Sequence, residues 1–181
     1  MCAFARPKAR EPVGEEELFV YAVGSLARRM RSVRDLRRLM KPRAEPGEAG
    51  ELAMDRVIAR LEGLRYLSDE RFAADFVRLR KENQAHGRRR VQQDLAGKGI
   101  GKELVATAVG AAFDDADELA LVRRYAERKR LRPPVNEKET ARIMGRLLRA
   151  GFSSTAIWKV LRSWNVAVDE VEIEPEEGGS D

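Results

Sequence analysis

A glycine-rich stretch is the most suggestive chemical pattern in this sequence. Residues 96–103 read AGKGIGKE, and a phosphate-binding loop likewise combines a lysine with glycines whose N–H groups face the phosphates. That loop continues with Ser or Thr, which binds magnesium, but here Glu103 follows, and Ala96 holds the first glycine position. No strand is predicted before it. The same glycines suit a helix end and a turn, which is the interpretation we favour over a nucleotide site.

Other catalytic and metal-binding patterns are weaker still. The single histidine, His86, lies at a polar helix end with no nucleophile near it in sequence, so we expect a surface or capping role. Cys2 is the only cysteine, which excludes an intramolecular disulfide and a zinc site built on cysteines. The sequence therefore predicts no enzyme, no metal and no cofactor. Acidic residues gather near predicted helix starts, where they complement the helix dipole: Asp69, Glu70, Asp75, Asp114, Asp115 and Asp117.

Cations carry the remaining chemical signal, and they fall in three clusters. Guanidinium groups bind phosphates and carboxylates through paired hydrogen bonds, so these clusters suit an anion-binding surface. The alternative is a solvated helix face joined by salt bridges. Few aromatic residues lie among the cations, which disfavours stacking on bases. The clusters are Arg28, Arg29, Arg31, Arg34, Arg37, Arg38, Lys41 and Arg43; Arg78, Arg80, Lys81, Arg88, Arg89 and Arg90; and Arg123, Arg124, Arg128, Lys129, Arg130 and Arg132.

Charge is spread unevenly along the chain. The 181 residues have a formal net charge of +5, but residues 169–181 contain seven acids and no Lys or Arg. Removing that −7 leaves +12 on the preceding residues. A body this basic attracts phosphate backbones, acidic protein surfaces or anionic lipids, and the acidic tail can screen it. Charge alone does not choose among these partners.

The sequence predicts a soluble, cytoplasmic protein. The N-terminus lacks the apolar stretch of a signal peptide. The longest apolar run, residues 104–113, is interrupted by Thr107 and Gly110 and is about half as long as a membrane span. We therefore expect no membrane association.

Helical periodicity predicts nine helices and no strand. The first begins near Glu15, and Ser32, Ser68 and Ser153 are the predicted N-caps of the second, fourth and ninth. The inner faces of the first, third and fourth helices are assigned, among others, Met30, Leu64 and Leu79. The remaining predicted ranges are 50–64, 69–84, 88–98, 102–112, 115–130 and 137–150, and the ninth helix ends at Trp164.

Three segments share one apolar spacing, which indicates an internal repeat. In each, two residues on a helix are followed by one that fills a turn and one on the next helix, at offsets of 4, 9 and 15. The turns contain Gly99 and Gly151 in the second and third segments, as a left-handed helix end favours, and Arg65 in the first. The segments are Val57, Leu61, Tyr66 and Phe72; Val91, Leu95, Ile100 and Ala106; and Ile143, Leu147, Phe152 and Trp158.

Helical units of this size stack on one another because none can bury its apolar face alone. The predicted fold is therefore all-α, with nine helices as three tandem three-helix repeats in an elongated, curved body. The predicted repeats span residues 15–66, 67–112 and 113–165. A flexible segment, 1–14, precedes them and an acidic disordered tail, 166–181, follows.

Short motifs between residues 18 and 164 resemble the RecX regulatory proteins. They are RSVRDL at 31–36, YLSDERFA at 66–73, residues 87–91 followed by LAGKGI at 95–100, and GFS at 151–153 with Ile157. Their order and spacing together carry the resemblance. Arg65 replaces the usual glycine before Tyr66 and Ser68 replaces an acid, departures that bear on the local turn rather than on chemistry.

The resemblance implies a modulator of the bacterial recombinase RecA. RecX proteins are built from three tandem three-helix repeats and bind in the groove of the RecA–DNA filament. There they typically inhibit strand exchange, ATP hydrolysis and coprotease activity, and so restrain recombination, DNA repair and the SOS response. They are not known as enzymes.

We therefore expect a monomeric inhibitor of RecA filaments that binds single- or double-stranded DNA more weakly. The alternative is a basic helical protein that binds DNA without RecA, and an adaptor for another acidic protein is a third class. The sequence leaves open whether filaments are inhibited or stabilised and whether the tail competes with DNA. The candidate contacts to filament acids or DNA phosphates are Arg28, Arg29, Arg31, Arg88, Arg89, Arg90, Arg123 and Arg124.

Overall fold

A computed structural model describes residues 12–113 and 115–164, and this part of the chain contains nine helices and no strand. The all-α prediction is therefore confirmed. The predicted tail and most of the N-terminal segment lie outside the described residues. The helices are α1 Glu15–Arg28, α2 Val33–Met40, α3 Glu48–Gly63, α4 Asp69–Gln84, α5 Arg88–Gly97, α6 Lys102–Ala112, α7 Asp115–Arg128, α8 Glu137–Arg149 and α9 Ser154–Ser163.

Side-chain caps fix where several helices begin. The Ser32 hydroxyl accepts a hydrogen bond from the Asp35 N–H at 3.1 Å, and the Ser153 hydroxyl accepts one from the Ala156 N–H at 3.2 Å. The Ser68 hydroxyl does the same for the Arg71 N–H at 3.2 Å. Each bond satisfies one of the donors that the first turn of a helix leaves open. All three predicted N-caps are confirmed.

The helices form two compact units. Among the described residues, one unit comprises 12–82 and 91–112, and in it α1 packs on α3 while α2 contacts both. The core of these three helices includes Leu18, Leu36, Met54 and Leu61.

Among the described residues, the second unit comprises 83–90, 113 and 115–164. In it, α9 packs against both α7 and α8. Its core is built around Phe152, whose ring meets the edge of Tyr125 at a centroid distance of 5.5 Å, and includes Val122, Leu147 and Ile157. Apolar residues at helical spacing therefore form both cores.

Three helices end in the same way. Arg65, Gly99 and Gly151 follow α3, α5 and α8 with φ of 59°, 82° and 92°. In each turn the next residue donates its N–H to a carbonyl five residues back, as from Phe152 to Leu147. This left-handed helix end was predicted from the sequence at Gly99 and Gly151, where it is confirmed, and Arg65 adopts it as well.

Some residues buried in these turns and in the helices after them differ from those predicted. Tyr66 is 59% exposed, and Leu67, at 2%, is buried in its place. Ala106 is exposed where Val105 is buried, and Trp158 is half-buried where Ile157 is fully buried.

The spacing is therefore 4, 9 and 14 in the second and third segments and 4, 10 and 15 in the first. The α3–α4 turn is one residue longer than the α5–α6 and α8–α9 turns. In all three segments the helix after the turn buries the residue five positions beyond the one that fills it, as Phe72 follows Leu67.

Three apolar residues assigned to inner faces are exposed instead. Met30, Leu64 and Leu79 are 44%, 50% and 38% exposed. Met30 lies beyond the end of α1 at Arg28, and Leu64 caps α3, so helical periodicity does not govern the burial of either residue. Leu79 lies inside α4, so a helix end is not the reason for its exposure. All three assignments were wrong.

Candidate functional site

Ion pairs account for part of the three cationic clusters. Arg37 bridges Glu51, at 2.9 Å, and Asp55 on α3, and Lys41 contacts Glu51 at 3.2 Å. Arg78 contacts Asp75 at 3.0 Å, within α4. Hydrogen bonds from Lys41 and Arg37 lower the pKa of Glu51. For these residues, the salt-bridged helix face is the right interpretation.

The first cationic surface consists of Arg28, Arg29 and Arg31, just after α1. Arg28 ends the helix and Arg29 caps it, and both are exposed. Neither forms an ion pair within the described residues. Cations at a helix C-terminus are stabilised by the helix dipole, so this placement costs the fold nothing.

Arg31 differs from its neighbours because it is half-buried. Its Nε donates a hydrogen bond to the Ser25 hydroxyl at 2.5 Å. Burial, followed by the charge of Arg29, lowers the pKa of the Arg31 guanidinium from its ordinary value. The group remains charged at neutral pH but has lost part of its hydration, so a partner's carboxylate or phosphate would compensate it well.

Arg31 also lines a depression of about 180 Å³. Its rim includes the exposed Met30 and Tyr66, and its floor includes Phe72. Sequence analysis had placed Met30 and Tyr66 inside the protein and so missed them. Exposed Tyr, Met and Arg together are typical of protein interfaces. The signal in the sequence that could have indicated their exposure was that Met30 and Tyr66 lie at helix ends rather than within a helix.

A hydrogen-bonded framework holds the start of α2 beside this surface. The Ser32 hydroxyl donates to the Lys98 carbonyl at 2.7 Å, and the Lys98 ammonium contacts the Asp35 carboxylate at 2.8 Å. The Val33 N–H donates to the Asp69 carboxylate at 2.9 Å. Burial raises the pKa of Asp69, Glu70 adds to the rise, and the bond from Val33 opposes it.

The second cationic surface consists of Arg88, Arg89 and Arg90, the first three residues of α5. All three are exposed, and the first turn of α5 contains no acid. The N-terminus of a helix carries partial positive charge, so cations there oppose the helix dipole. An anion that lies over this helix end would offset that opposition.

The backbone at the start of α5 is fixed by the α8–α9 turn. The Gly87 N–H donates to the Ala150 carbonyl at 2.8 Å, and the Arg89 N–H donates to the Gly151 carbonyl at 3.2 Å. A side chain at Gly87 would collide with the Gly151 backbone. The second cationic surface is therefore held on a fixed backbone rather than on a loop.

The third cationic surface is Arg123 and Arg124 on α7. Both are exposed, whereas the adjacent Val122 and Tyr125 are buried. The structure thus places the second and third surfaces in one compact unit and the first surface in the other.

The remaining chemical candidates are the histidine and the acidic side chains. His86 is half-buried with its ring 6.4 Å from that of Tyr125, rather than on the surface. The described residues contain no group of three or more His, Cys, Asp or Glu side chains suited to a metal ion. In the same part of the chain, no helix has the length and apolarity needed to cross a membrane.

Comparison with known proteins identifies the family. The family model described as "RecX, second three-helix domain" matches residues 68–109. The "Regulatory protein RecX" of Ralstonia nicotianae is 30% identical over 149 residues, which is 82% of this chain and 89% of that protein. The protein of the same name from Mycobacterium ulcerans is 29% identical over 162 residues, covering 88% and 91%.

Two solved structures share the fold. A RecX crystal structure aligns with 82% of this chain and 71% of its own at a TM-score of 0.68 and 21% identity. RecX from Lactobacillus salivarius aligns with 83% of this chain and 96% of its own at 0.63 and 19%. Together with the relative that is 30% identical over most of both chains, these matches show that the chain belongs to the RecX family of regulatory proteins.

Proposed function

We propose that this protein regulates RecA by binding the RecA–DNA filament and inhibiting its recombinase, ATPase and coprotease activities. Membership of the RecX family supports RecA as the partner. The structural observation that carries the proposal is the second cationic surface, where Arg88, Arg89 and Arg90 stand at a helix N-terminus without an acid in the first turn. A phosphate or carboxylate of a partner would be favourable at such a helix end.

Inhibition in this proposal needs binding and no catalytic residue. The three cationic surfaces contact acidic side chains of the filament or the phosphates of its DNA. The depression beside Arg31 receives an apolar side chain of the partner, with Met30 and Tyr66 as its rim. A monomer made of three helical repeats then occupies the filament and prevents its extension or its access to substrates.

A second candidate function is DNA binding without RecA. It is favoured by the exposed cations that have no acid partner within the described residues, such as Arg29 and Arg123. The two functions predict different affinities. A filament regulator binds RecA filaments tightly and bare DNA weakly. An independent DNA-binding protein binds RecA-coated DNA and bare DNA with similar affinity.

The experiment compares binding to RecA filaments on single-stranded DNA with binding to the same DNA alone. Arg88→Glu with Arg89→Glu is expected to weaken filament binding about tenfold or more, because two attractions become repulsions. The matched control is Lys138→Glu with Lys159→Glu, two exposed cations on α8 and α9. Unchanged filament affinity in the arginine variant would remove the second cationic surface from the proposal.

A further inference from the structure

A groove in the second unit collects cations that the three surfaces do not include. It has a volume of about 490 Å³ and lies between the residues that follow α7 and one face of α8. We call it the α7–α8 groove. Six cations and one carboxylate, Glu139, line it; the cations are Lys129, Arg130, Arg132, Arg142, Arg146 and Arg149.

None of the six groove cations forms an ion pair within the described residues. The Glu139 carboxylate instead accepts a hydrogen bond from the Val135 N–H at 3.2 Å, which ties it to the backbone before α8. The groove therefore concentrates positive charge without internal compensation.

The α8 side of the groove has regular geometry. Arg142, Arg146 and Arg149 follow i, i+4 and i+7 spacing, which places them along one helix face with rises of about 6 and 10 Å. Like charges at this spacing repel one another, so the row destabilises the free helix slightly. A linear anion with charges at intervals along its length would compensate all three.

The other side of the groove contains a residue in a strained conformation. Arg130 has a φ of 51°, and its turn is closed by a hydrogen bond from the Leu131 N–H to the Ala126 carbonyl at 2.8 Å. The corresponding left-handed position is glycine after α5 and α8, at Gly99 and Gly151, and arginine after α3, at Arg65. A left-handed backbone is unfavourable for arginine, and the side chain held in this conformation lines the groove.

We propose that the α7–α8 groove binds the phosphodiester backbone of a nucleic acid, independently of RecA. Arginine forks fit phosphate oxygens, and a chain with one charge per nucleotide matches a row of cations better than a small anion does. The described lining contains no aromatic ring for base stacking. Binding is therefore independent of base sequence.

The test measures affinity for a fluorescent oligo-dT and for a duplex by fluorescence anisotropy across a salt series. Arg142→Gln with Arg146→Gln is expected to weaken binding roughly tenfold at low salt. It should also reduce the slope of log K against log salt by about 1.4 on the single strand and 1.8 on the duplex. The control, Lys138→Gln with Lys159→Gln, removes two exposed cations outside the groove. It should leave the affinities for the single strand and for the duplex unchanged.

Arg130→Gly separates binding from folding. Glycine relieves the left-handed strain, so the variant should unfold at the same or a higher temperature while its affinity for the oligonucleotides falls. A drop in affinity without a drop in melting temperature is not expected from a purely structural role of Arg130.

Three outcomes would overturn the proposal. The first is a groove variant with the affinity and salt slope of the control. The second is binding of poly-glutamate at least as tight as that of oligo-dT, which would indicate an acidic protein ligand. The third is that inorganic phosphate saturates the groove at a concentration at which the oligonucleotide does not bind. Because none of these assays contains RecA, failure here leaves the filament proposal to its own test.

Discussion

At the scale of single residues, the environment of each charge decides its role. Arg37 and Arg78 belong to sequence clusters that look alike, yet both are held by carboxylates, whereas Arg29 and Arg123 have no acid partner in the described part of the chain. Exposed ion pairs contribute about 0 to 1 kcal/mol each, so the paired cations add little to stability. The cations that lack an acid partner are the ones available to bind something else.

The pKa of Asp69 gives a prediction with a definite sign. Burial raises it above the ordinary value of 3.8, so the unfolded chain releases its proton at lower pH than the folded chain. The free energy of unfolding therefore falls as pH rises through the interval between the two pKa values. Asp69→Asn keeps an oxygen to accept the Val33 N–H and should remove this fall, which denaturant unfolding across a pH series measures.

Glu70 supplies the control for that prediction, because its pKa is shifted the other way. A hydrogen bond from Ser68 lowers the pKa of Glu70 below 4.5, so its contribution to stability is present above that pH and is lost on acidification. Glu70→Gln should therefore lose stability at neutral pH. If both variants changed the unfolding free energy with the same dependence on pH, the described contacts would not govern these two carboxyls.

At the scale of helices and turns, the α3–α4 turn offers a matched pair of neighbouring residues. Leu67 is 2% exposed and Tyr66 is 59% exposed. Leu67→Ala should cost about 2 to 4 kcal/mol of unfolding free energy because it empties the turn. Tyr66→Ala should cost less than about 1 kcal/mol. Denaturant unfolding measures both losses of unfolding free energy. A larger loss for Tyr66→Ala than for Leu67→Ala would support the predicted role of Tyr66 in filling the turn.

The same pair separates stability from binding. Tyr66 lies on the rim of the depression beside Arg31, so Tyr66→Ala is expected to weaken filament binding although it leaves the fold intact. Full filament affinity in this variant would exclude the depression from the interface.

The helices themselves could be predicted from sequence because their signals are local. Serine caps, glycine helix ends and apolar periodicity each act within a few residues, and Ser32, Ser68 and Gly151 behaved as predicted. Burial at helix ends could not be predicted, because one additional residue in the α3–α4 turn moves the buried position from Tyr66 to Leu67.

Cationic surfaces were proposed from the sequence only where cations lie close together in it. Arg88 to Arg90 form a run and were recognised, but Arg142, Arg146 and Arg149 are spread over α8 and come together only through helical spacing. The partners of Arg37 come from α3, another helix, so sequence runs could not separate paired cations from those without an acid partner.

At the scale of the whole molecule, the charge distribution gives a further prediction. Residues 169–181 carry seven acids, and the preceding residues carry a net +12. If the tail screens the basic body, deleting residues 169–181 should raise affinity for bare DNA, most strongly at low salt. Anisotropy with a labelled oligonucleotide measures this, and an unchanged affinity would show that the tail does not compete with DNA.

The measurement that tests the central proposal most directly is ATP hydrolysis by RecA from the same source on single-stranded DNA, with this protein titrated in. We predict inhibition at well below one copy per RecA subunit, because occupying a few sites suffices to block a filament. The Lys138→Glu, Lys159→Glu control should retain that inhibition, and Arg88→Glu with Arg89→Glu should weaken it. Unchanged hydrolysis, with DNA binding intact, would contradict the proposal and favour a DNA-binding protein that acts without RecA.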